Sequence, residues 1–564
     1  MGSEINAAIK KWALANAVEH GGNANLGAVM GKLLAEFPNL RPKAKELMSL
    51  VKKIVDEINR LSLQEQTKLL HELGPPEVVR REKRVGLPEL PDVDKYPGVV
   101  TRFAPNPNGP LHIGHVRAAL LSHEYARIYG GKFILRFEDT NPLNSLLEMY
   151  DMIKKDLAWL EINWDEEHVQ SDRLERYYFF AEMLLEEGKA YVCTCKAEEF
   201  KRLRDKSKAC PCRELPTNEQ IERWQAMVIG DLHEGQAVVR IKTDLTHPNP
   251  AVRDWPALRV VTAPHPRVGS KYRVWPLYNF SASIDDHEMG ITHIISGKEH
   301  IANEQCQRFL YEHLGWSYPT AVQYGRLKIG GAVLSKTKIM NGIRSGEFSG
   351  YDDPRLGTIA ALRRRGILPQ SIRAVIIDVG PTPVDASLSW ETLFAYNRKL
   401  VDAGANRYFF VPNPVELKIS GVPDLKEVKI RLHPSLPERG WRNIPIDRKE
   451  GFVKVHVAKA DMDTFKVGQI VRLKDLMNVR ILSIDPNLIG EFAGFEILEV
   501  PKIQWVSKDA VEVSVIRPDG TVEGGIAEPG VSNLKEGDIV QFERYGFVRI
   551  DSVEPKIIAV FGHL

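Results

Sequence analysis

The chain has 564 residues, 43% of them hydrophobic, with 76 Lys plus Arg against 74 Asp plus Glu and a formal net charge of +2. That length suits about three to five domains, and the near-even charge balance excludes a globally basic nucleic-acid coat while leaving room for local basic surfaces. No run of about 18 apolar residues occurs and the opening MGSEINAAIKKW lacks the apolar core of a signal peptide, so a cytoplasmic protein without a membrane span is expected.

Residues 5–73 read as helical. In PKAKELMSLVKKIVDEINRL the residues Leu47, Leu50, Val51, Ile54, Ile58 and Leu61 share one face, and Ser62 with Glu65 has capping-box spacing for the next helix. Residues 75–97 hold five Pro and a basic cluster and read as a linker. From Gly98 the pattern alternates. GVVTRF and KFILRFED are strand-like, whereas GHVRAALLSHEYARIYGG and EMYDMIKKDLAWL are helix-like, which predicts βα units and a parallel sheet. A capped helix, SDRLERYYFFAEMLLEEGKAYVCTC, runs into a cysteine cluster, and an irregular stretch follows. Strand signals resume in GITHIISGKEH and AVQYGRL, so 194–270 reads as an insertion between two halves of one sheet. Helical signals continue through LGTIAALRRRGILPQSIRAVIID and WETLFAYNRKLVDAG. From about residue 405 short alternating runs such as FVKVHVAKA, QIVRLKDL, AVEVSVI and FVRIDSV predict barrel or sandwich strands.

Three clusters carry chemistry. In TRFAPNPNGPLHIGHVRAALLS a strand ends at Phe103, a Pro-stiffened turn follows, and a helix begins near Gly114 with its N–H groups and dipole facing the turn, a ready phosphate site. Gly109 and Gly114 would let a flat ligand approach the backbone, and His112 and His115 could donate to phosphate oxygens. The same spacing suits two ordinary surface histidines. Downstream, RLKIGGAVLSKTKI places Ser335, Lys336 and Lys338 after a Gly pair, as in a mobile loop that closes a cation onto phosphates, or in a merely exposed lysine-rich loop. Four of the five cysteines, Cys193, Cys195, Cys210 and Cys212, form two CxC pairs separated by fourteen residues. Four thiolates so placed suit a structural Zn²⁺, with two disulfides or four unrelated cysteines as the rivals. Cys306 reads as a buried thiol.

Together PLHIGH and VLSKT, about 220 residues apart, resemble the paired HIGH and KMSKS signatures of class I aminoacyl-tRNA synthetases. LRFEDTNP, YNFSASIDDHEMGITHIISGKEH and YDDPRLGTIAALRRRG are similar to the glutamyl/glutaminyl subgroup, and HPSLPERGWR, QWVSKDAVEV and FERYGFVRID to its anticodon-binding barrels. Asn106 stands where glutaminyl enzymes usually carry Glu, which resembles the archaeal-type glutamyl branch.

The resemblance implies a multidomain α/β plus all-β protein. Its expected parts are a helical N-terminal appendage (1–74), a linker (75–97), a class I Rossmann-like core (98–193 and 271–333) with an acceptor-end insertion (194–270), the KMSKS loop with a helical connecting domain (334–404), and two C-terminal β-barrels (405–564). It implies ATP with Mg²⁺ held by Asn108, Gly109, His112, Gly114, His115, Ser335 and Lys336, with His112, His115 and Lys336 catalytic. It implies L-glutamate at Arg102, Asn106, Glu138 and Tyr278, with Arg102 as the partner of the side-chain carboxylate. Bacterial glutamyl enzymes place an Arg near the position of Ser296, and this chain has none there.

The implied activity is glutamate–tRNA ligation on tRNA(Glu) and also tRNA(Gln), by a monomer. The helical appendage is a candidate contact for other synthetases or an amidotransferase. LRRRG at 362–366 and VRLKDL at 471–476 are candidate RNA-facing surfaces. The alternatives are a glutaminyl enzyme, a tRNA-independent nucleotidyltransferase, which would have no use for the C-terminal strands, and a non-catalytic RNA-binding protein, which would have no use for His112, His115 and Lys336.

Overall fold

The computed structural model describes residues 2–37, 40, 44–74, 86–331 and 333–564. The chain divides into two compact units, Met1–Val85 and Gly86–Leu564. In the first, α1 (Gly2–Glu19), α2 (Leu26–Glu36), α3 (Ala44–Ile58) and α4 (Leu63–Leu73) pack around Ile9, Leu14, Val29, Leu33, Val51 and Val55. The α3 stripe buries Val51, Val55 and Ile58, with Leu47, Leu50 and Ile54 half-buried beside them. Ser62 and Glu65 cap α4 reciprocally, as their spacing predicts. The buried Gln66 amide spans the bundle, donating to the carbonyls of Gly22 and Ile58 at 2.9 Å each.

Of the expected linker, 75–85 lies outside the described residues, and 86–97 is docked rather than free. Tyr125 donates to Pro88 O (2.9 Å), Leu90 N donates to the Tyr129 hydroxyl (3.0 Å), and Leu90 is buried in the core of the second unit. These contacts move the start of that unit to Gly86.

The second unit begins with β1 (Val100–Phe103), α5 (Ile113–Ile128), β2 (Lys132–Phe137), α6 (Leu147–Trp159), β3 (Glu166–Val169) and α7 (Leu174–Glu186). β1 pairs in parallel with β2, and β2 with β3; β1 and β2 form near-continuous buried runs, whereas β3, of sequence EEHV, is a part-exposed edge. The chain then leaves the sheet. β4 (Ala190–Cys193), α8 (Ala197–Asp205), α9 (Thr217–Ile229), β5 (Val238–Ile241), β6 (Pro256–Val260) and β7 (Val274–Pro276) build an antiparallel sheet in the order 4-5-6-7. It has its own core around Trp224, Trp275, Val239 and Leu258. The stretch expected to be irregular is thus a regular sheet that reaches past 194–270 on both sides, because its first and last strands come from residues that also read as flanking core.

After α10 (Tyr278–Glu288) the parallel sheet resumes with β8 (His293–Gly297), α11 (Ile301–Leu314) and β9 (Thr320–Tyr324). Thr292 N donates to Val100 O at 2.9 Å, which joins β8 to the free side of β1. The three-stranded sheet 3-2-1 and the two-stranded sheet 8-9 thus lie side by side at β1 and β8. A crevice between β1 and β8, where the order reverses, is the usual ligand position in an open parallel sheet.

β10 (Leu327–Ile329), α12 (Lys336–Arg344), α13 (Ile359–Arg364), α14 (Pro369–Val379), β11 (Ala386–Leu388) and α15 (Trp390–Val401) follow. α13 and α14 bury Ile359, Leu362, Ile372 and Ile376 in the same core as the parallel sheet. The arginines of LRRRG differ in their surroundings. Arg363 faces Asp156 at 3.5 Å, Arg364 pairs with Asp551 at 2.7 Å, and Arg365 is 7% exposed.

Two seven-stranded sheets and a two-stranded hairpin, Glu427–Arg431 with Trp441–Pro445, complete the chain, and the two large sheets are interleaved. Residues 407–412 supply strands of one sheet, the chain departs to build the whole of the other from strands between 414 and 503, and it returns to finish the first with strands from 511 to 563. Among the described residues no helix is long and apolar enough to cross a membrane.

Candidate active site

His112 is the N-cap of α5. Its Nδ1 accepts from Gly114 N at 3.1 Å, and His115 Nδ1 accepts from His112 N at 3.4 Å. The two rings stack with centroids 3.7 Å apart and planes 21° from parallel. A neutral imidazole whose Nδ1 accepts carries its proton on Nε2, so each ring offers one N–H donor at the positive end of the helix. Burial, followed by the positive charge of Lys336, lowers the His112 pKa to about 4. Burial, His112 and Lys336 push His115 well below its ordinary value.

Ser335 and Lys336 arrive from more than 200 residues away. Ser335 caps α12, and Lys336 is that helix's first residue rather than part of an open loop. The Lys336 ammonium donates to the Asn108 side-chain oxygen, and its stem crosses Gly109, where a Cβ would lie 3.1 Å from Lys336 Cδ. At Gly114 a Cβ would lie 3.0 Å from His112 Cε1. The two glycines expected to admit a ligand to the backbone thus make room for the two side chains that would meet it. Burial lowers the Lys336 pKa.

Beside this turn lies a network of charges that joins β1 and β2 to α10. Arg102 of β1 is 7% exposed and grips Asp286 of α10 with two bonds, Nε to Oδ1 at 3.1 Å and Nη2 to Oδ2 at 3.3 Å. Arg136 of β2 donates to Asp286 Oδ1 at 2.7 Å and to Glu138 Oε1 at 3.0 Å. Burial would raise the Asp286 pKa, but Arg102 and Arg136 outweigh it and hold the carboxyl below its ordinary value. Burial prevails at Glu138, whose pKa is raised against the pull of Arg136 and Arg102. Tyr278 opens α10 with its ring 5.6 Å from His300, and burial raises its hydroxyl pKa. The Asn106 side-chain oxygen is buried without a hydrogen-bond donor among the described residues.

Arg136, Asp286 and His300 were not among the residues expected from sequence. A charge inside an otherwise apolar strand or helix, as in KFILRF and SASIDD, was the available signal, because such a charge needs a buried partner. Asp139, next to Glu138, is wholly buried as well. It accepts from the Tyr150 hydroxyl at 2.6 Å and from Ser171 N at 2.8 Å, tying β2 to the following segments.

The four clustered cysteines are unpaired thiols whose Sγ atoms lie within 4.8 Å of one another, with Cys193–Cys210 and Cys195–Cys212 each at 3.8 Å. Bonds of about 2.3 Å to a tetrahedral Zn²⁺ require sulfur–sulfur edges of about 3.8 Å, so the donor set fits that ion. Cys306 is a separate buried thiol with its pKa pushed up to about 12.

A cavity of about 490 Å³ opens where the two-stranded hairpin 427–445 faces the C-terminal sheets, lined by Arg407, Lys429, Arg431, Arg472, Lys474 and the half-exposed Trp441, with Asp475 and Glu543 as its acids. Lys429 and Arg431 lie over the Trp441 ring at 5.7 and 5.3 Å.

Residues 98–403 match the catalytic domain of the class I (E and Q) tRNA synthetases, and residues 405–495 and 502–551 match that family's anti-codon binding domains. The chain is 52% identical to the glutamate–tRNA ligase of Pyrococcus abyssi, over 99% of this chain and 100% of that protein. It is 46% identical to the glutamate–tRNA ligase of Methanopyrus kandleri, over 99% of each. A crystal structure of a glutamate tRNA ligase from Elizabethkingia meningosepticum in complex with its amino acid is 25% identical and covers 54% of this chain and 70% of that one, with a TM-score of 0.39. The chain belongs to the class I tRNA synthetases of the E and Q group, in its glutamate–tRNA ligase branch.

Proposed function

We propose that this chain activates L-glutamate with ATP as glutamyl-adenylate and transfers the glutamyl group to the terminal ribose hydroxyl of tRNA. The observation that carries the reading is the seating of Lys336 on Asn108 and Gly109, beside the stacked imidazoles at the head of α5.

In the first step a glutamate α-carboxylate oxygen attacks the α-phosphorus, and the bond to the bridging oxygen breaks as pyrophosphate leaves with the electron pair. Charge grows on the phosphate oxygens. The Nε2–H groups of His112 and His115, the helix dipole and the Lys336 ammonium would stabilise it. Mg²⁺ would travel with the nucleotide. In the second step the ribose hydroxyl attacks the anhydride carbonyl, the bond from that carbon to the phosphate oxygen breaks, and AMP departs with the electron pair while the hydroxyl proton passes to its phosphate or to solvent. No protein nucleophile is needed, so catalysis rests on positioning and fixed charge.

On the substrate side, Arg102 would face the side-chain carboxylate of glutamate. Its Nε and Nη2 are held by Asp286, and no described residue takes Nη1. Glu138 and the unpartnered Asn106 oxygen are acceptors for the α-ammonium group, with Tyr278 lining the pocket. The cavity around Trp441 would hold anticodon nucleotides, since a positive rim and an exposed aromatic face suit a phosphate and an unstacked base. The four cysteines would hold a structural Zn²⁺ that pins the inserted sheet.

The reading is tested by ATP–pyrophosphate exchange with glutamate and with glutamine, each with and without tRNA. Glutamate-dependent exchange is expected, and tRNA should be required. Exchange with neither amino acid would leave an RNA-binding protein. Exchange with glutamate that never charges tRNA would leave a nucleotidyltransferase.

A further inference from the structure

We propose that the cleft between α13, α15 and the final strand of the chain is an effector site that takes a planar aromatic carboxylate on Arg365. The cavity measures about 670 Å³, and Arg365, Trp390, Phe394, Phe561 and His563 form its walls.

Arg365 points to the ligand. Its side chain is buried, Nη2 donates to Gly562 O at 2.7 Å, and Nε meets no acceptor among the described residues. No carboxylate of a described residue lies within ion-pair distance. Of the acids at the cavity, Glu391 is exposed at the rim and the Leu564 terminal carboxyl is taken by Arg398. A desolvated guanidinium without a counter-charge is costly, and an entering anion would relieve that cost. Among the described residues Nε is unmatched at Arg117, Arg136 and Arg442 as well, and the other buried arginines differ from Arg365 in their further partners. Arg253 donates to His247 O, Arg204 O and Ser207 Oγ, and Arg472 to Asn478 Oδ1 and two main-chain oxygens. Arg102 and Arg136 share Asp286, Arg442 has Glu528 and Glu543, and Arg117 spends both terminal nitrogens on the carbonyls of Gly325 and Gly380 at 2.6 Å. Arg365 opens on empty volume instead, and burial lowers its pKa to about 10.

The walls select the rest of the ligand. The Arg365 guanidinium carbon is 5.9 Å from the Trp390 ring and 5.4 Å from Phe394, and the His563 ring stacks on Phe394 at 5.2 Å. Flat faces next to a cation suit a conjugated ring bearing one carboxylate, with the ring against the aromatics and both oxygens on the guanidinium. Of the rim cations, Arg355 is held by Asp353 and Arg398 by the Leu564 main-chain oxygen. The specific charge is therefore the one at the bottom.

The cleft also bears on the catalytic segment. Trp390 donates its indole N–H to Gly330 O at 2.8 Å, and β11 just before it pairs with β10, the strand leading to Lys336. A ring pressed on Trp390 would shift the base of that segment. This effector role rests on the catalytic reading above, whereas binding does not.

The probe is 2-naphthoate, titrated calorimetrically into the full chain. One saturable equivalent is expected, with affinity reduced about ten-fold or more by Arg365→Gln. The rim variant Ala395→Trp, which fills the cleft without touching Arg365, should abolish binding even if R365Q does not fold. A lack of saturable binding to the unmodified chain would overturn the site. So would binding indifferent to A395W, or equal binding of the cationic 2-naphthylmethylamine. Saturating 2-naphthoate should also slow ATP–pyrophosphate exchange by about five-fold in the unmodified chain and not in A395W. An unaltered rate with binding demonstrated would overturn the effector role. A chain that shows no exchange at all would instead defeat the catalytic reading, with the binding result standing apart.

Discussion

The Lys336 ammonium and the Asn108 side-chain oxygen, 228 residues apart, form a hydrogen bond that seats a cation from α12 on the turn before α5. Two weak local signals thereby become one site. Lys336→Ala should lower glutamate activation by about 10²–10³-fold, with a small effect on glutamate KM, because the charge it balances appears mainly in the transition state. Single-turnover activation measures this, and an unchanged rate refutes the role.

Arg102→Ala should impair glutamate activation far more than ATP binding if, as proposed, Arg102 faces the substrate carboxylate. Loss of ATP affinity with the preference for glutamate over glutamine intact would assign Arg102 a different role. Asp286→Ala should act on folding. It leaves Arg102 and Arg136 buried without their shared carboxylate, at a cost of about 3–5 kcal/mol in a denaturant titration.

His112 and His115 make stability depend on pH. Their pKa values lie below the ordinary 6.5, that of His112 at about 4. As pH falls from 6.5 toward 4 the unfolded chain takes up protons that the folded chain refuses, so stability is full above that window and declines through it. Melting of the wild type should therefore fall more steeply with acidification than melting of His112→Gln. Parallel profiles would count against the buried, neutral imidazole.

Elemental analysis of the purified chain should find about one Zn²⁺, and Cys210→Ser should release it and loosen the sheet from β4 to β7. Metal-free, fully active protein would show that the four thiols hold no structural ion.

Charging of purified tRNA(Glu) and tRNA(Gln) with labelled glutamate should give comparable kcat/KM, as expected of an enzyme that serves both. A preference above about 10³-fold for tRNA(Glu), roughly 4 kcal/mol, would mark a discriminating reader.

The sequence alone carried the local elements and the family. The 3.6-residue stripe of α3, the Ser62–Glu65 cap, the alternation around β1 and β2, and the two CxC pairs are all written in neighbouring residues, because local hydrogen bonding and burial decide them. The PLHIGH and VLSKT motifs were equally legible as words. Only the tertiary structure decided what those words face. Lys336 meets Asn108, Asp286 bridges Arg102 and Arg136, and residues 407–412 join strands from beyond 511 to form one sheet around the other's departure. These pairings join residues more than 100 positions apart, where periodicity holds no information. What selects them is the need of each buried charge for a partner and of each strand edge for another strand.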